Sequence, residues 1–210
     1  MNITLAIVVI TCVVSFTAFS NQKIISDLIF YPPAITNNNQ WYRFITCGFI
    51  HADLGHLAFN MFSFYLFGQF VEKAFGQIFP QNGALIYLAM YLLALIVCLL
   101  PTYFANKENY NYRSLGASGA VSAVVFAGIF LFPLNKIGLF IIPPVIPGFI
   151  FAPIYLFISA YMSKRGGDNI NHSAHIWGAI FGIIYLIIVC YFLSSFSPVQ
   201  NFINDVQSFF

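Results

Sequence analysis

Apolar residues in this chain come in long runs separated by short polar stretches. A helix that crosses the hydrocarbon of a bilayer needs roughly 20 mostly apolar residues, and six runs reach about that length: about 2–20, 56–74, 83–104, 115–132, 139–162 and 172–194. The pattern predicts an all-α, polytopic membrane protein built as a six-helix bundle. No positively charged segment precedes the first run and no convincing small-residue cleavage site follows it, so it reads as an uncleaved span. The longest connection, about 21–55, keeps many aromatics (Phe30, Tyr31, Trp41, Tyr42, Phe44, Phe49), the composition of a loop lying in the membrane interface. After the sixth run, Ser197 and Pro198 suit an N-cap and a first helical position, and Phe202, Ile203, Val206, Phe209 and Phe210 recur at helical spacing. The expected organisation is one domain over residues 1–196 and a short interfacial amphipathic tail over 197–210.

Composition agrees with the pattern. The chain is 60% hydrophobic and 7% charged, where a soluble domain carries roughly a quarter charged residues. Its net charge of +2 and the absence of any basic block argue against a nucleic-acid partner, leaving the lipid bilayer as the main one. Cys12, Cys47, Cys98 and Cys190 lie far apart, mostly inside apolar runs, and read as small core residues.

Successive spans alternate direction, so the second, fourth and sixth begin on the same face. His56 and Asn60 fall in the first two turns of the second span, Ser118 in the first turn of the fourth and His175 in the first turn of the sixth. At about 1.5 Å per residue, these polar groups share one depth on one side. Polar groups inside a bilayer are costly and mark functional sites.

The flanking residues suggest a chemistry. Gly116 and Gly119 bracket Ser118 at a helix start, where backbone N–H groups lack helical partners and could serve a developing oxyanion. A serine hydroxyl needs an adjacent base, and His175 is the candidate. Gly178 and Gly182 give the sixth helix a small-xxx-small face for tight packing. His56 and Asn60, at i and i+4, lie on one face as possible oxyanion donors. No acid falls inside a span nearby, since Asp53 and Asp168 are in loops, so a Ser–His dyad is expected without a third, ionised member.

These residues resemble the rhomboid intramembrane serine proteases. The likeness rests on H-x4-H-x3-N (His51, His56, Asn60), G-x-S-G (Gly116 to Gly119) and A-H-x2-G-x3-G (Ala174, His175, Gly178, Gly182), in the family's order. Trp41, Tyr42 and Arg43 in the first loop and Gly68, Glu72 and Gly76 extend it over most of the chain. The resemblance implies a six-transmembrane rhomboid-like bundle with a catalytic dyad of Ser118 and His175. It also implies an oxyanion hole of His56, Asn60 and the Ser118 N–H, a supporting role for Arg43, and no cofactor or metal. Single-span membrane proteins are the implied substrates, and a bacterial cytoplasmic membrane, with the site open to the extracytoplasmic side, the implied location. Three features depart from it. The first loop reads Trp41-Tyr42-Arg43 where many members have Trp and Arg adjacent. Ser122 stands where family members often carry an aromatic packed on the catalytic imidazole. Basic residues number two on the side expected to be cytoplasmic (Lys73, Lys136) and six on the other (Lys23, Arg43, Lys107, Arg113, Lys164, Arg165), opposite to the positive-inside rule.

Taken singly, each site residue has a plainer reading: Ser118 as a packing or capping residue, His56 as an interfacial polar group, Asn60 as interhelical glue. His51 is open between a structural and a functional role, His172 reads as a solvated loop histidine, and Glu72 as a partner of Lys73 or of a neighbouring helix end. A different class of function, haem or metal binding, would use His51, His56, His172 and His175, the last two sharing a face at i, i+3. An inactive rhomboid-like protein that binds membrane clients is a third possibility. The fifth run, opening on Pro143, Pro144 and Pro147 with Pro153 beyond, is expected to be the least regular helix. With the loop over 164–171, it is the candidate gate against the second span, packing there through Phe149, Phe151 and Phe157.

Overall fold

The computed structural model describes residues 2–139, 142–167 and 170–210, with only the backbone of Leu139 and residues 142–144. Asp168 and part of the 164–171 loop lie outside these residues. The elements in order are α1 (Ile3–Phe19), α2 (Gln22–Leu28), α3 (Pro32–Asn38), α4 (Arg43–Thr46), a 3-10 turn (Cys47–Phe49), α5 (Leu54–Ile78), α6 (Gly83–Val97), α7 (Leu100–Asn106), α8 (Ser118–Leu131), β1 (Lys136–Leu139), β2 (Ile142–Pro147), α9 (Gly148–Arg165), α10 (His172–Leu193) and α11 (Pro198–Gln207).

Every apolar run of the sequence carries a helix. By length and apolarity, two stretches among the described residues suffice to cross a membrane, Gly83–Asn106 and His172–Leu193, while Ile3–Phe19 and Ser118–Leu131 are apolar but shorter. Leu54–Ile78 is 25 residues long and interrupted by His56, Asn60, Glu72 and Lys73.

Burial is inverted relative to a water-soluble bundle. On α1 the buried face is Thr4, Ile7, Thr11, Ser15 and Ala18, at the three-to-four spacing of one helix face, while Leu5, Val9, Ile10, Val13 and Phe16 are exposed. Phe157, Tyr191 and Phe192 stand three-quarters or so exposed, at 75%, 79% and 74%. An apolar outer surface of this extent suits contact with lipid tails rather than water.

Glu72 joins α5 to the start of α1. Its carboxylate accepts from the Ile3 and Thr4 N–H groups at 2.7 and 2.9 Å and from the Thr4 hydroxyl at 2.7 Å. A carboxylate at a helix N-terminus satisfies orphan donors and complements the helix dipole. Its partner is thus the neighbouring helix end.

Helix α8 is the hub. Eleven of its positions from Gly119 to Leu131 are buried, and it touches α5, α6, α9, α10 and α11. Its 14 residues make it about 21 Å long, shorter than the roughly 30 Å of bilayer hydrocarbon. Being enclosed by protein, its end groups need no lipid-spanning length.

The fifth run departs from a single helix over 139–162. The strands Lys136–Leu139 and Ile142–Pro147 pair antiparallel, Lys136 with Pro147 and Ile137 with Ile146, and the helix starts only at Gly148. Proline lacks an N–H and disfavours helix in the residue before it, so Pro143, Pro144 and Pro147 delay the helix. Pro153 is accommodated within α9. The long first connection is likewise built rather than extended, with α2, α3 and α4 folding over the bundle.

The tail helix α11 has Ser197 as its N-cap and Pro198 in the first turn. Phe202 stacks on Phe130 at 4.7 Å and the Asn201 amide donates to the Leu131 carbonyl at 3.2 Å. It therefore docks on the far end of α8.

Candidate functional site

Three helix N-termini meet at one place. Asp53 caps α5 by accepting from the His56 N–H at 2.8 Å. Asn171 caps α10 by accepting from the Ala174 N–H at 3.1 Å, and is itself anchored to the Thr102 hydroxyl. Helix α8 begins at Ser118, where the N–H groups have no intrahelical partner.

Across the α8 and α10 starts, the Ser118 hydroxyl and His175 Nε2 are 2.7 Å apart. The backbones can approach this closely because of the glycines. A Cβ on Gly178 would overlap the Gly119 carbonyl, one on Gly182 the Ala123 carbonyl, and one on Gly119 the Cys98 sulfur. Gly178 and Gly182, the small-xxx-small pair of the sequence, thus lie against the α8 backbone, with Gly119 at the same contact.

His56 and Asn60 face the same place. The His56 ring lies over Gly116, where a Cβ would come within 2.7 Å of Cε1. Gly116 also has a φ of 113°, a left-handed conformation that favours glycine. The Asn60 amide donates to the His56 carbonyl at 3.0 Å, which leaves its second N–H for another acceptor. A cavity of about 390 Å³ is lined by His56, Asn60, Ser118, Gly119 and His175 together. A second, of about 120 Å³, continues beneath the dyad between α5 and α9, walled by Phe59, Phe62, Leu66, Phe151 and Tyr155.

His51 is structural. Fully buried, it pairs through Nδ1 with the Ser15 hydroxyl at 3.0 Å, while Nε2 accepts from the Ala117 N–H at 3.4 Å. Ser15 already donates to the Phe49 carbonyl, so Nδ1 carries the ring proton. Burial, reinforced by the neighbouring His56 and opposed by Asp53, pushes the His51 imidazolium down to about 3. The neutral ring holds the residue before the serine and stacks edge-on against His56 at 4.9 Å.

Tyr155 was not foreseen. Its hydroxyl stands 3.3 Å from His175 Nδ1. Twelve tyrosines are scattered along the chain, and no spacing singles this one out. His172 packs edge-on against His175 at 5.9 Å. The four histidines do not converge as ligands, and among the described residues no three His, Cys, Asp or Glu side chains cluster as a metal site.

Arg43 lies outside the site. Its guanidinium donates to the Gln40 side chain at 2.6 Å and to the Ser26 and Ile29 carbonyls at 2.9 and 2.8 Å. It fastens α2 to α4, so any support it gives acts through the first loop.

Comparison with known proteins then decides the family, because residues 38–192 match the Rhomboid domain. The chain belongs to the rhomboid family. It is similar to RHOMBOID-like protein 12, mitochondrial, of Arabidopsis thaliana, 32% identical over 150 residues that make up 66% of this chain and 43% of that protein. The putative rhomboid protease YdcA of Bacillus subtilis is 30% identical over 149 residues, 70% of this chain and 66% of its own length. The presenilin-associated rhomboid-like protein, mitochondrial, of Bos taurus is 29% identical over 150 residues, 66% of this chain and 35% of its own. The matched region spans less than half the length of the two mitochondrial relatives. As rhomboids are integral membrane proteins, the apolar exterior faces lipid. The compartments named for these rhomboid relatives include mitochondria as well as a bacterium, so membership assigns a membrane and not the bacterial one in particular.

Proposed function

We propose that this rhomboid is an intramembrane serine endopeptidase that cuts single-span membrane proteins within or near their transmembrane helix. The observation that carries the proposal is the 2.7 Å contact between the Ser118 hydroxyl and His175 Nε2, at the base of a cavity that His56 and Asn60 also line. In this reading α1, α5, α6, α8, α9 and α10 are the six spans, and the cavity opens on the face where α5, α8 and α10 begin. We place that face on the extracytoplasmic side of a bacterial cytoplasmic membrane, against the basic-residue count.

The chemistry follows from the geometry. His175 takes the Ser118 proton as the oxygen attacks the scissile carbonyl. The resulting oxyanion is held by the Ser118 N–H and by the side chains of His56 and Asn60. His175 then returns the proton to the leaving amine, and water from the cavity hydrolyses the acyl-enzyme with the same base. No ionised acid is needed beside His175, and none has to be desolvated.

Reaction of the full chain in liposomes with a fluorophosphonate tests this reading. Ser118 should be labelled, and Ser118→Ala and His175→Ala should each abolish both labelling and cleavage of a single-span substrate, since either member of such a unit carries nearly the whole effect. Cleavage that survives in Ser118→Ala refutes the assignment. A folded wild type that never reacts would instead be a client-binding relative.

A further inference from the structure

Ser118 and His175 meet through Nε2 of the imidazole, and the far side of the ring has a contact of its own. Tyr155, from α9, brings its hydroxyl to 3.3 Å from His175 Nδ1. With Nε2 set to accept from Ser118, Nδ1 carries the ring proton and donates it to the Tyr155 oxygen. The phenol is itself held. Its ring packs on Phe126 at 5.6 Å and Phe151 at 5.8 Å. Ser122 is small and buried, one turn after the nucleophile, and so leaves room for a side chain from another helix to reach the imidazole.

We infer that Tyr155 is a positioning residue for His175, fixing the Nδ1–H tautomer and the ring plane with a neutral acceptor. This rests on the proposed protease reading. As His175 takes up the serine proton, the charge-assisted Nδ1–H bond to the phenol strengthens, so the interaction favours the transition state over the resting enzyme. Because α9 packs on α10 and α8 and scarcely on α5, the acceptor rides on the helix least tied to the rest of the site. Displacement of α9 withdraws it, and the dyad is aligned only while α9 is seated.

The test is Tyr155→Phe in the full-length protein, which keeps the ring and removes the oxygen. A hydrogen bond of ordinary strength predicts kcat lowered on the order of 3- to 10-fold. KM should stay unchanged, and the acid limb of the pH–rate profile should fall by about half to one unit, as the imidazolium loses its acceptor. Nitrogen-15 NMR of histidine-labelled protein, with the His175 signal assigned by its loss in His175→Gln, reads the tautomer without any need for activity. The Nδ1–H form should dominate in wild type and give ground in Tyr155→Phe, while Phe157→Leu, on the outward face of α9, leaves it in place. Unchanged tautomer and acid limb in Tyr155→Phe would overturn the inference and leave the dyad standing. Loss of the dyad itself would show in Ser118→Ala retaining cleavage, a separate outcome.

Discussion

Gly178 on α10 lies directly against the carbonyl of Gly119 on α8, so close that a Cβ would overlap it. The same seam aligns Ser118 with His175. Gly178→Ala and Gly182→Ala are therefore expected to push the helices apart, costing about 1–3 kcal/mol as overpacked contacts do, and to lower thermal stability and cleavage together. Gly76→Ala, with nothing within 4 Å of the added carbon, is the control and should leave both unchanged. A Gly178→Ala protein that melts and cuts like wild type would count against the seam.

The His56 and Asn60 side chains are assigned to the developing oxyanion and not to the nucleophile. Loss of one such donor typically costs about 100- to 1,000-fold in rate. His56→Ala and Asn60→Ala should therefore be slow enzymes whose Ser118 still reacts with fluorophosphonate. Wild-type turnover in both would move the oxyanion site elsewhere.

His51 links stability to pH. Its native pKa is depressed to about 3 from the ordinary 6.5, so the unfolded chain binds more protons between these values. The stability of the neutral ring is fully present above about 6.5 and is lost as pH falls toward 3. Thermal melts in detergent from pH 7 to 4 should fall steeply in wild type. His51→Gln should start lower and fall less over the same window. Parallel slopes in the two proteins would remove His51 as the cause.

On the proposed protease reading, a substrate helix gains access on the side of the 120 Å³ cavity between α5 and α9. Of the three phenylalanines expected to bridge this gap, only Phe151 lines it; Phe149 packs on Phe209 at 5.3 Å, and Phe157 faces outward. In a background lacking Cys12, Cys47, Cys98 and Cys190, a cysteine pair joining α5 to α9 should suppress cleavage of a transmembrane substrate when oxidised. Reduction should restore it. Undiminished cleavage by fully cross-linked protein would locate the access route elsewhere.

Ser118, His175, His56 and Asn60 were legible because each sits within two turns of a helix start, where sequence order translates directly into depth. The glycine seam was legible from spacing alone. Tyr155 was not, because its partner is 20 positions away on a separate helix whose rotation no hydropathy pattern specifies. The role of His51 was undecidable for a similar reason: it is fixed by Ser15 and Ala117, 36 and 66 positions distant. The fifth run was read as one helix because its residues are apolar throughout, and hydropathy does not register the N–H groups that proline lacks. The short helices of the first connection have too few turns to leave a periodic signature.

Ser118 begins a helix of about 21 Å inside a slab of hydrocarbon about 30 Å thick, so its height relative to the lipid surface is built into the frame. On the proposed reading, a protease of this design works as a depth gauge. Two substrates with no sequence in common present equivalent bonds if each unwinds at the same level, and residues inserted above the cleavage point of one substrate would shift the cut to whichever bond then occupies that level.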